Sequence, residues 1–209
     1  MNALITAYTM NHGGFSMIPV ARLEAIAKIA QQVAVHGALV ECGVWNGGSA
    51  AVLASASHHP GRHVWLFDSW EGLPQPSNDD GRQALAKYKS RDGQLCVGDI
   101  RQPALAFAAA GVTDNVLHLR QGWFDNTLDK ASSEIGDIAI LHIDADWHDS
   151  VTKCLRVFYP LVVTGGLVII DDYGHWLGCQ LAVDEYFSGT EMRLNEIDYT
   201  SRYFFKETP

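Results

Sequence analysis

Three apolar segments of the sequence end in aspartate, a residue type that can bind metal ions or carry protons. Asp68 ends VWLFD, Asp144 ends IAILHID and Asp171 ends LVIID. Asp172 follows Asp171 directly. Open α/β sheets bind their ligands at the carboxyl ends of the strands. If the three segments are parallel strands, we therefore expect these carboxylates to meet at one edge of a sheet.

The carboxylates of Asp144, Asp171 and Asp172 are expected to lie closest together, because we expect their strands to be neighbours. Neighbouring strands are about 4.8 Å apart, and carboxylates at that distance repel each other unless a cation lies between them. Oxygen ligands favour Mg²⁺, Ca²⁺ or Mn²⁺ over zinc. We predict that these three residues bind a hard divalent cation. For Asp146 and Asp149 a second interpretation is open, since either can cap the helix that follows.

A glycine-rich loop, GVWNGGS at 43–49, follows the apolar segment 38–42 and precedes an alanine-rich helix. Asp68 lies twenty residues after Gly48, a spacing at which a carboxylate can accept the hydroxyls of a bound ribose. The loop lacks the G-x-G-x-x-G fingerprint and the lysine of a phosphate-binding loop. An adenosine without a pyrophosphate fits better, and S-adenosylmethionine is the usual ligand of that kind. An ordinary strand–helix turn is the alternative.

Aromatic residues and histidines accompany the acidic residues. Tryptophan is costly to expose without a role, so those that follow predicted strands suggest the walls of a cleft, with loop packing as the alternative. They are Trp45, Trp70, Trp123, Trp147 and Trp176. His142 lies on the same strand face as Asp144 and is predicted to be a core histidine, with a role as a base or as a partner of the site residues as the alternative. His148 and His175 are candidates for contact with a substrate.

Composition excludes several classes of protein. The chain has 209 residues and a formal net charge of −9, whereas a non-specific nucleic-acid binder is basic. Its four cysteines form no C-x-x-C pair, and Cys42 and Cys154 are expected to be buried free thiols in a reducing, cytoplasmic compartment. No signal peptide is recognisable, and no apolar run approaches the roughly 18 residues of a membrane span.

Apolar periodicity alternates between strand and helix along the chain, which predicts a mostly parallel sheet with helices on both faces. No linker or repeat interrupts it, so 1–209 is predicted to be a single domain. Strands are expected at 38–42, 64–68, 116–120, 138–144 and 167–171, and an antiparallel C-terminal hairpin at 192–197 and 202–206. Helices are expected at 20–35, 50–57, 81–90, 103–110, 150–159 and 178–187.

Six motifs together resemble the macrocin O-methyltransferase (TylF-like) family. They are ECGVW with GGS at 41–49, FDSWEGLP at 67–74, GWF at 122–124, LHIDADW at 141–147, IIDDYG at 169–174 and AVD at 182–184. The resemblance implies the Rossmann-like fold of class I methyltransferases. It also implies an enzyme that uses S-adenosylmethionine and Mg²⁺ to methylate sugar hydroxyls on natural products.

The resemblance also implies roles for individual residues. Asp144, Asp171 and Asp172 would bind the metal, and Asp144 would also be the general base. Residues 1–18, including Thr9 and Met10, would fold over the site. The residues expected to bind the cofactor are Glu41, Gly43, Trp45, Asn46, Gly47, Ser49, Asp68, Ser69, Gly122 and Trp123, with Asp68 on the ribose and the last two near the adenine.

Two other functions stay open at this point. Asp144-Ala145-Asp146 is a D-x-D sequence, which also occurs in metal-dependent glycosyltransferases that bind nucleotide sugars. A non-catalytic cofactor-binding protein is the other alternative, although mutually repelling carboxylates have no purpose in a scaffold. The expected partners are a hydroxylated small molecule, in particular a sugar, and further copies of the chain in a homo-oligomer.

Overall fold

The computed structural model describes residues 14–57 and 59–208. Within them a seven-stranded sheet has the strand order β3-β2-β1-β4-β5-β7-β6, and only β7 pairs antiparallel to its neighbours. The strands are β1 (Ala38–Cys42), β2 (His63–Asp68), β3 (Val116–Gln121), β4 (Ile138–Ile143), β5 (Val162–Ile170), β6 (Asn195–Glu196) and β7 (Arg202–Phe205).

Helices connect the parallel strands. They are α1 (Val20–Ala30), α2 (Gly48–Ala56), α3 (Gly81–Lys89), α4 (Gln102–Ala109), α5 (Phe124–Ile135), α6 (His148–Phe158) and α7 (Leu177–Tyr186), with a short 3₁₀ turn at Tyr159–Leu161. None of the helices in the described part of the chain is long and apolar enough to cross a membrane.

Two apolar clusters cover the opposite faces of the sheet, because successive strand residues point to opposite sides. One cluster joins α1, α2 and α4 to strand residues such as Leu39 and Ile140. The other joins α5, α6 and α7 to their sequence neighbours Val40 and Leu141. Parallel strands covered on both faces read as nearly continuous apolar runs, which is why the central strands were recognisable. The predicted α/β fold class is confirmed.

The strand order reverses at β1, which lies between β2 and β4. Just beyond this strand, the Asp144 N–H donates to the Cys42 carbonyl at 2.8 Å. Gly43 has φ +84°, and a Cβ added there would clash with the carbonyl oxygen of Asp144. Glycine is therefore required at position 43 both by its backbone conformation and by the close approach of a neighbouring strand.

Three element predictions need correction. The first helix ends at Ala30 rather than near position 35, since Gln32 and Val33 already make tighter turn bonds that lead the chain into β1. Strand β5 begins at Val162 rather than at position 167, and it continues through Gly165 although that residue has φ +80°. Helix α5 was not predicted at all, because its apolar positions are sparse. Cys42 and Cys154 are buried free thiols, as expected.

Candidate active site

A cavity of about 480 Å³ opens at the carboxyl edge of the sheet. Its walls are the loops that follow β1, β2, β3, β4 and β5, together with Met17, Ile18 and Arg22 at the start of the described chain. The predicted site residues that line it are Gly43, Trp45, Asp68, Ser69, Gly122, Trp123, Asp144, Asp171 and Asp172. The structure therefore brings residues predicted to bind the cofactor and residues predicted to bind the metal to one cavity, at the place where strand order reverses.

Asp144, Asp171 and Asp172 converge in this cavity. Each offers a carboxylate oxygen, and these oxygens lie within 4.8 Å of one another. The convergence follows from strand register, since Ile143 pairs with Ile170 and the acidic residues come next on both strands. Burial raises the pKa of the Asp144 carboxyl well above its usual range, and the charges of Asp171 and Asp172 add to this rise. Three such oxygens fit a hard divalent cation.

Asp171 supports this fit through its two oxygens, which have different surroundings. Its Oδ2 accepts a hydrogen bond from Nη1 of Arg22 at 2.7 Å. Its Oδ1 is buried and has no hydrogen-bond partner among the described residues. A buried carboxylate oxygen without a partner is costly, so Oδ1 is available to a ligand. The sequence analysis did not identify Arg22, because nothing in its helical context distinguishes it from a surface residue.

Asp146 lies near the triad formed by Asp144, Asp171 and Asp172, and it has a different partner. Its Oδ1 accepts a hydrogen bond from Nε1 of Trp176 at 2.8 Å, and its backbone lies in the left-handed region, with φ +57°. Burial raises the pKa of the Asp146 carboxyl to about 7. Among the described residues, the oxygens within reach of one cation belong to Asp144, Asp171 and Asp172, and Asp146 is not among them. Asp146 therefore lies outside the three-carboxylate group that contains Asp144.

Asp68 holds the glycine-rich loop in place. Its Oδ2 accepts the backbone N–H groups of Val44 and Trp45 at 2.7 and 2.8 Å, and its Oδ1 accepts that of Trp70 at 2.6 Å. Burial raises the pKa of the Asp68 carboxyl more than these hydrogen bonds lower it. Trp45 and Trp70 both have positive φ, at +47° and +56°. Such conformations persist where surrounding contacts enforce them and are common at functional sites.

Four residues predicted to bind the cofactor lie behind the cavity wall. Ser49 Oγ donates to Glu41 Oε1 at 2.6 Å, the Asn46 side-chain oxygen accepts the Asp99 N–H, and Gly47 lies against Pro103. None of the four is part of the cavity lining. Their contacts hold the glycine-rich loop from the side away from the cavity. Direct contact of these four residues with a cofactor stays a prediction.

His142 is a core residue, as predicted, and Glu41 is its partner. The His142 Nδ1 lies 2.7 Å from Glu41 Oε1, and neither side chain is exposed. Burial alone would lower the pKa of His142, but the hydrogen bond and charge of Glu41 outweigh it and raise the pKa. This pair joins β1 to β4 directly below the loops that carry the site.

Asp80 caps helix α6 from another part of the chain. Its Oδ1 accepts the backbone N–H of His148 at 2.7 Å, and its Oδ2 accepts the N–H and hydroxyl of Ser77. The alternative interpretation, in which Asp146 or Asp149 caps this helix, is not the arrangement found, since Asp146 accepts a hydrogen bond from Trp176 and Asp149 contacts the His148 ring. Asp80 was missed because its partner is 68 residues away in sequence.

The aromatic and histidine predictions are partly met. Trp45, Trp123 and Trp147 line the cavity. Trp70 and Trp176 are not part of the cavity lining. Their indole N–H groups donate to the Trp45 carbonyl and to the Asp146 carboxylate, and so they hold two of the loops in place. The two histidines that were predicted to contact a substrate are hydrogen-bonded to protein side chains. His148 is bonded to Asp149 and Glu185, and His175 is bonded to Tyr199.

The N-terminal segment touches the same loop. The Phe15 carbonyl accepts the N–H of Gly48, the first residue of α2, at 2.8 Å, and Met17 and Ile18 line the cavity. The predicted contacts of Thr9 and Met10 lie outside the described residues.

Comparison with known proteins agrees with this geometry. Residues 6–206 match the profile of the family described as Macrocin-O-methyltransferase (TylF). The demethyldecarbamoylnovobiocin O-methyltransferase of Streptomyces niveus is 35% identical over 179 residues, covering 82% of this chain and 67% of that protein.

Two further similarities extend over more of this chain. The 8-demethyl-8-(2,3-dimethoxy-α-L-rhamnosyl)-tetracenomycin-C 4′-O-methyltransferase of Streptomyces olivaceus is 32% identical over 198 residues, covering 90% of this chain and 74% of the relative. The solved structure of the O-methyltransferase NovP superimposes with a TM-score of 0.81 at 30% identity, covering 93% of this chain and 83% of that one. The chain therefore belongs to the macrocin O-methyltransferase (TylF) family, and the protein is a methyltransferase with a Rossmann-like α/β fold.

Proposed function

We propose that the protein transfers the methyl group of S-adenosylmethionine to a sugar hydroxyl on a glycosylated natural product, and that Asp144, Asp171 and Asp172 hold a Mg²⁺ ion for this reaction. Family membership and the names of the relatives support the reaction and the acceptor class. The single observation that carries the metal assignment is the convergence of three carboxylate oxygens within 4.8 Å in the cavity.

The residues around the cavity divide between the two substrates. We assign the cofactor to the side formed by Gly43, Trp45, Asp68, Gly122 and Trp123, where the glycine-rich loop follows β1. The Asp68 carboxylate lines the cavity on this side, where its oxygens can accept a ribose hydroxyl. The negative charge of the site also favours a sulfonium cation. The acceptor would then lie toward the loops after β4 and β5.

The chemistry is a displacement in which the acceptor oxygen forms a bond to the methyl carbon while the carbon–sulfur bond breaks. A Mg²⁺ ion held there would supply positive charge that stabilises the acceptor oxygen as it loses its proton. Asp144 would accept that proton as the general base. Asp80 and the strand register hold the loops that orient the acceptor, and such orientation is itself a large part of catalysis.

The test combines cofactor binding with a matched pair of variants. Calorimetry should show binding of S-adenosylhomocysteine to the wild type, and EDTA should abolish methyl transfer to a glycosylated acceptor. Asp144→Asn should reduce the rate by at least about 10²-fold with nearly unchanged affinity for S-adenosylhomocysteine. Asp114→Asn, an exposed change away from the cavity, is the control. Full activity of Asp144→Asn, or activity indifferent to EDTA, would reject the assignment.

The glycosyltransferase alternative has little support, because Asp146 is bonded to Trp176 and does not join the triad. Titration with UDP and with S-adenosylhomocysteine separates the two functions. Binding of UDP alone would favour the alternative. The homo-oligomeric state, the cytoplasmic location and the lack of nucleic-acid binding stay predictions, and light scattering after gel filtration tests the first of them.

A further inference from the structure

We propose that Arg22 is a positioning residue for the cation site, which holds Asp171 so that a single carboxylate oxygen, Oδ1, is presented to the ion. The proposal rests on the divalent cation of the proposed function. It assigns a role to a side chain of α1, an element that contributes none of the predicted site residues.

The Arg22 side chain is fixed at both ends of its guanidinium group. Nη1 lies 2.7 Å from Asp171 Oδ2, and Nε lies 2.7 Å from Asp198 Oδ2. The side chains of Arg22 and Asp171 are only 11% and 6% exposed, so water screens this pair weakly. Because a guanidinium is planar and rigid, two such contacts define its orientation.

Asp198 is itself held in place, which makes it a firm anchor for Arg22. It lies in the turn between β6 and β7, and its Oδ1 accepts the backbone N–H groups of Thr200 and Ser201 at 3.0 Å each. The contacts therefore run from the C-terminal hairpin through Arg22 to Asp171. The position of Asp171 is defined by three elements rather than by its own loop alone.

The consequence for Asp171 is that only one of its oxygens is free. Oδ2 is engaged by Arg22, whereas the buried Oδ1 has no partner among the described residues. Asp171 is only 4% exposed, so water does not compensate Oδ1 well. A carboxylate that binds through one oxygen suits Mg²⁺, which prefers octahedral coordination and retains several waters.

Charge balance points the same way. The carboxylates of Asp144, Asp171, Asp172 and Asp198 carry four negative charges when ionised, and the Arg22 guanidinium together with one divalent cation would offset three of them. Hydrogen-bonding partners of metal ligands commonly contribute 10–100-fold to metal affinity through orientation. Coulomb repulsion alone predicts the opposite, because removing a positive charge beside a cation site should strengthen binding. The direction in which metal affinity changes when Arg22 is replaced therefore distinguishes orientation of Asp171 from Coulomb repulsion.

The experiment measures Mn²⁺ binding by electron paramagnetic resonance in the wild type, Arg22→Met and Arg22→Lys. Both variants should bind Mn²⁺ about 10-fold or more weakly, since a lysine ammonium cannot bridge Asp171 and Asp198 as the guanidinium fork does. Arg120→Met, which removes the Arg120–Glu134 ion pair between β3 and α5, should bind like the wild type. Unchanged affinity for S-adenosylhomocysteine shows that the variants are folded.

A second readout counts the water ligands of Mn²⁺ from line broadening in H₂¹⁷O. In Arg22→Met the number should fall, because a released Asp171 can bind with both oxygens. An unchanged number overturns the single-oxygen assignment. Wild-type or tighter Mn²⁺ affinity in Arg22→Met or Arg22→Lys overturns the proposal while leaving the proposed function intact. Absence of Mn²⁺ binding by the wild type overturns both.

Discussion

Replacing Asp172 by asparagine should make the metal-free protein more stable while removing the stabilising effect of Mg²⁺. Burial, with the charges of Asp146 and Asp171, raises the pKa of the Asp172 carboxyl well above its usual range. Two ionised oxygens within 4.8 Å repel each other by about 3 kcal/mol at an effective dielectric constant of about 20. For a protein of 209 residues, about 3 kcal/mol corresponds to an increase in Tm of roughly 6–12 °C.

The assay is calorimetric unfolding at about pH 8.5, where the carboxylates are most ionised, with EDTA and then with Mg²⁺. In EDTA, Asp172→Asn should unfold at a higher temperature than the wild type. Mg²⁺ should raise the Tm of the wild type by mass action and leave the variant nearly unchanged. Asp114→Asn removes one charge at an exposed position and should behave like the wild type in both conditions.

A lower Tm for Asp172→Asn in EDTA would refute this reasoning. It would mean that the carboxylate makes favourable contacts in the metal-free protein, so that the cluster is structural. A Mg²⁺ effect of equal size in the variant and the wild type would place the cation elsewhere.

Three further predictions concern the loop, the buried pair and pH. Gly43→Ala should lower the unfolding free energy by at least about 2 kcal/mol and weaken binding of S-adenosylhomocysteine, because a Cβ clashes with the Asp144 carbonyl. Unfolding of the variant in urea at the same midpoint as the wild type would contradict this. His142→Ala should lower the unfolding free energy by about 3–5 kcal/mol in the same assay, since it leaves the buried Glu41 without its His142 partner; a loss below about 1 kcal/mol would show that the pair is weakly coupled. The rise in Tm caused by Mg²⁺ should be larger at about pH 8 than at about pH 6, because Asp144 and Asp172 have raised pKa values and must lose protons to bind it. These pKa values are raised only in the folded state, so in the metal-free protein the unfolded chain loses the two protons at a lower pH than the folded protein does. The unfolding free energy of the metal-free protein should therefore fall as pH rises through this window; a Mg²⁺ effect that becomes smaller as pH rises would count against the triad.

The central features of the site were predictable because they depend on strand ends. In a parallel sheet the carboxyl ends meet at one edge, so acidic residues after apolar runs indicate a shared site without further information. The glycine-rich loop was recognisable for a similar reason, since the conformation and close approach at Gly43 exclude other residues. The substrate contacts of His148 and His175 stay predictions, and their hydrogen bonds to Glu185 and Tyr199 were not predictable, because the type of a loop side chain does not indicate its partner.

Contacts between distant parts of the chain could not be predicted. Arg22 and Asp171 are 149 residues apart in sequence, and Asp80 reaches helix α6 across 68 residues. Neither spacing follows a helix or strand period, so the pattern contains no sign of the contact. Helix α5 was missed for another reason, because buried residues such as Leu128 and Ala131 are few in a mainly polar sequence.

The contact between Gly43 and the backbone of Asp144 fixes the position of the glycine-rich loop relative to the end of β4. The loop assigned to the methyl donor and the residue assigned as base follow adjacent, hydrogen-bonded strands, so rigid main chain fixes the distance between them. The segment that includes Pro74, Gln75 and Ser77 also lines the cavity, and the side chains of Trp147 and Asp80 hold it there. On the proposed function, substitutions in that segment would reshape the cavity while the reacting groups keep their alignment.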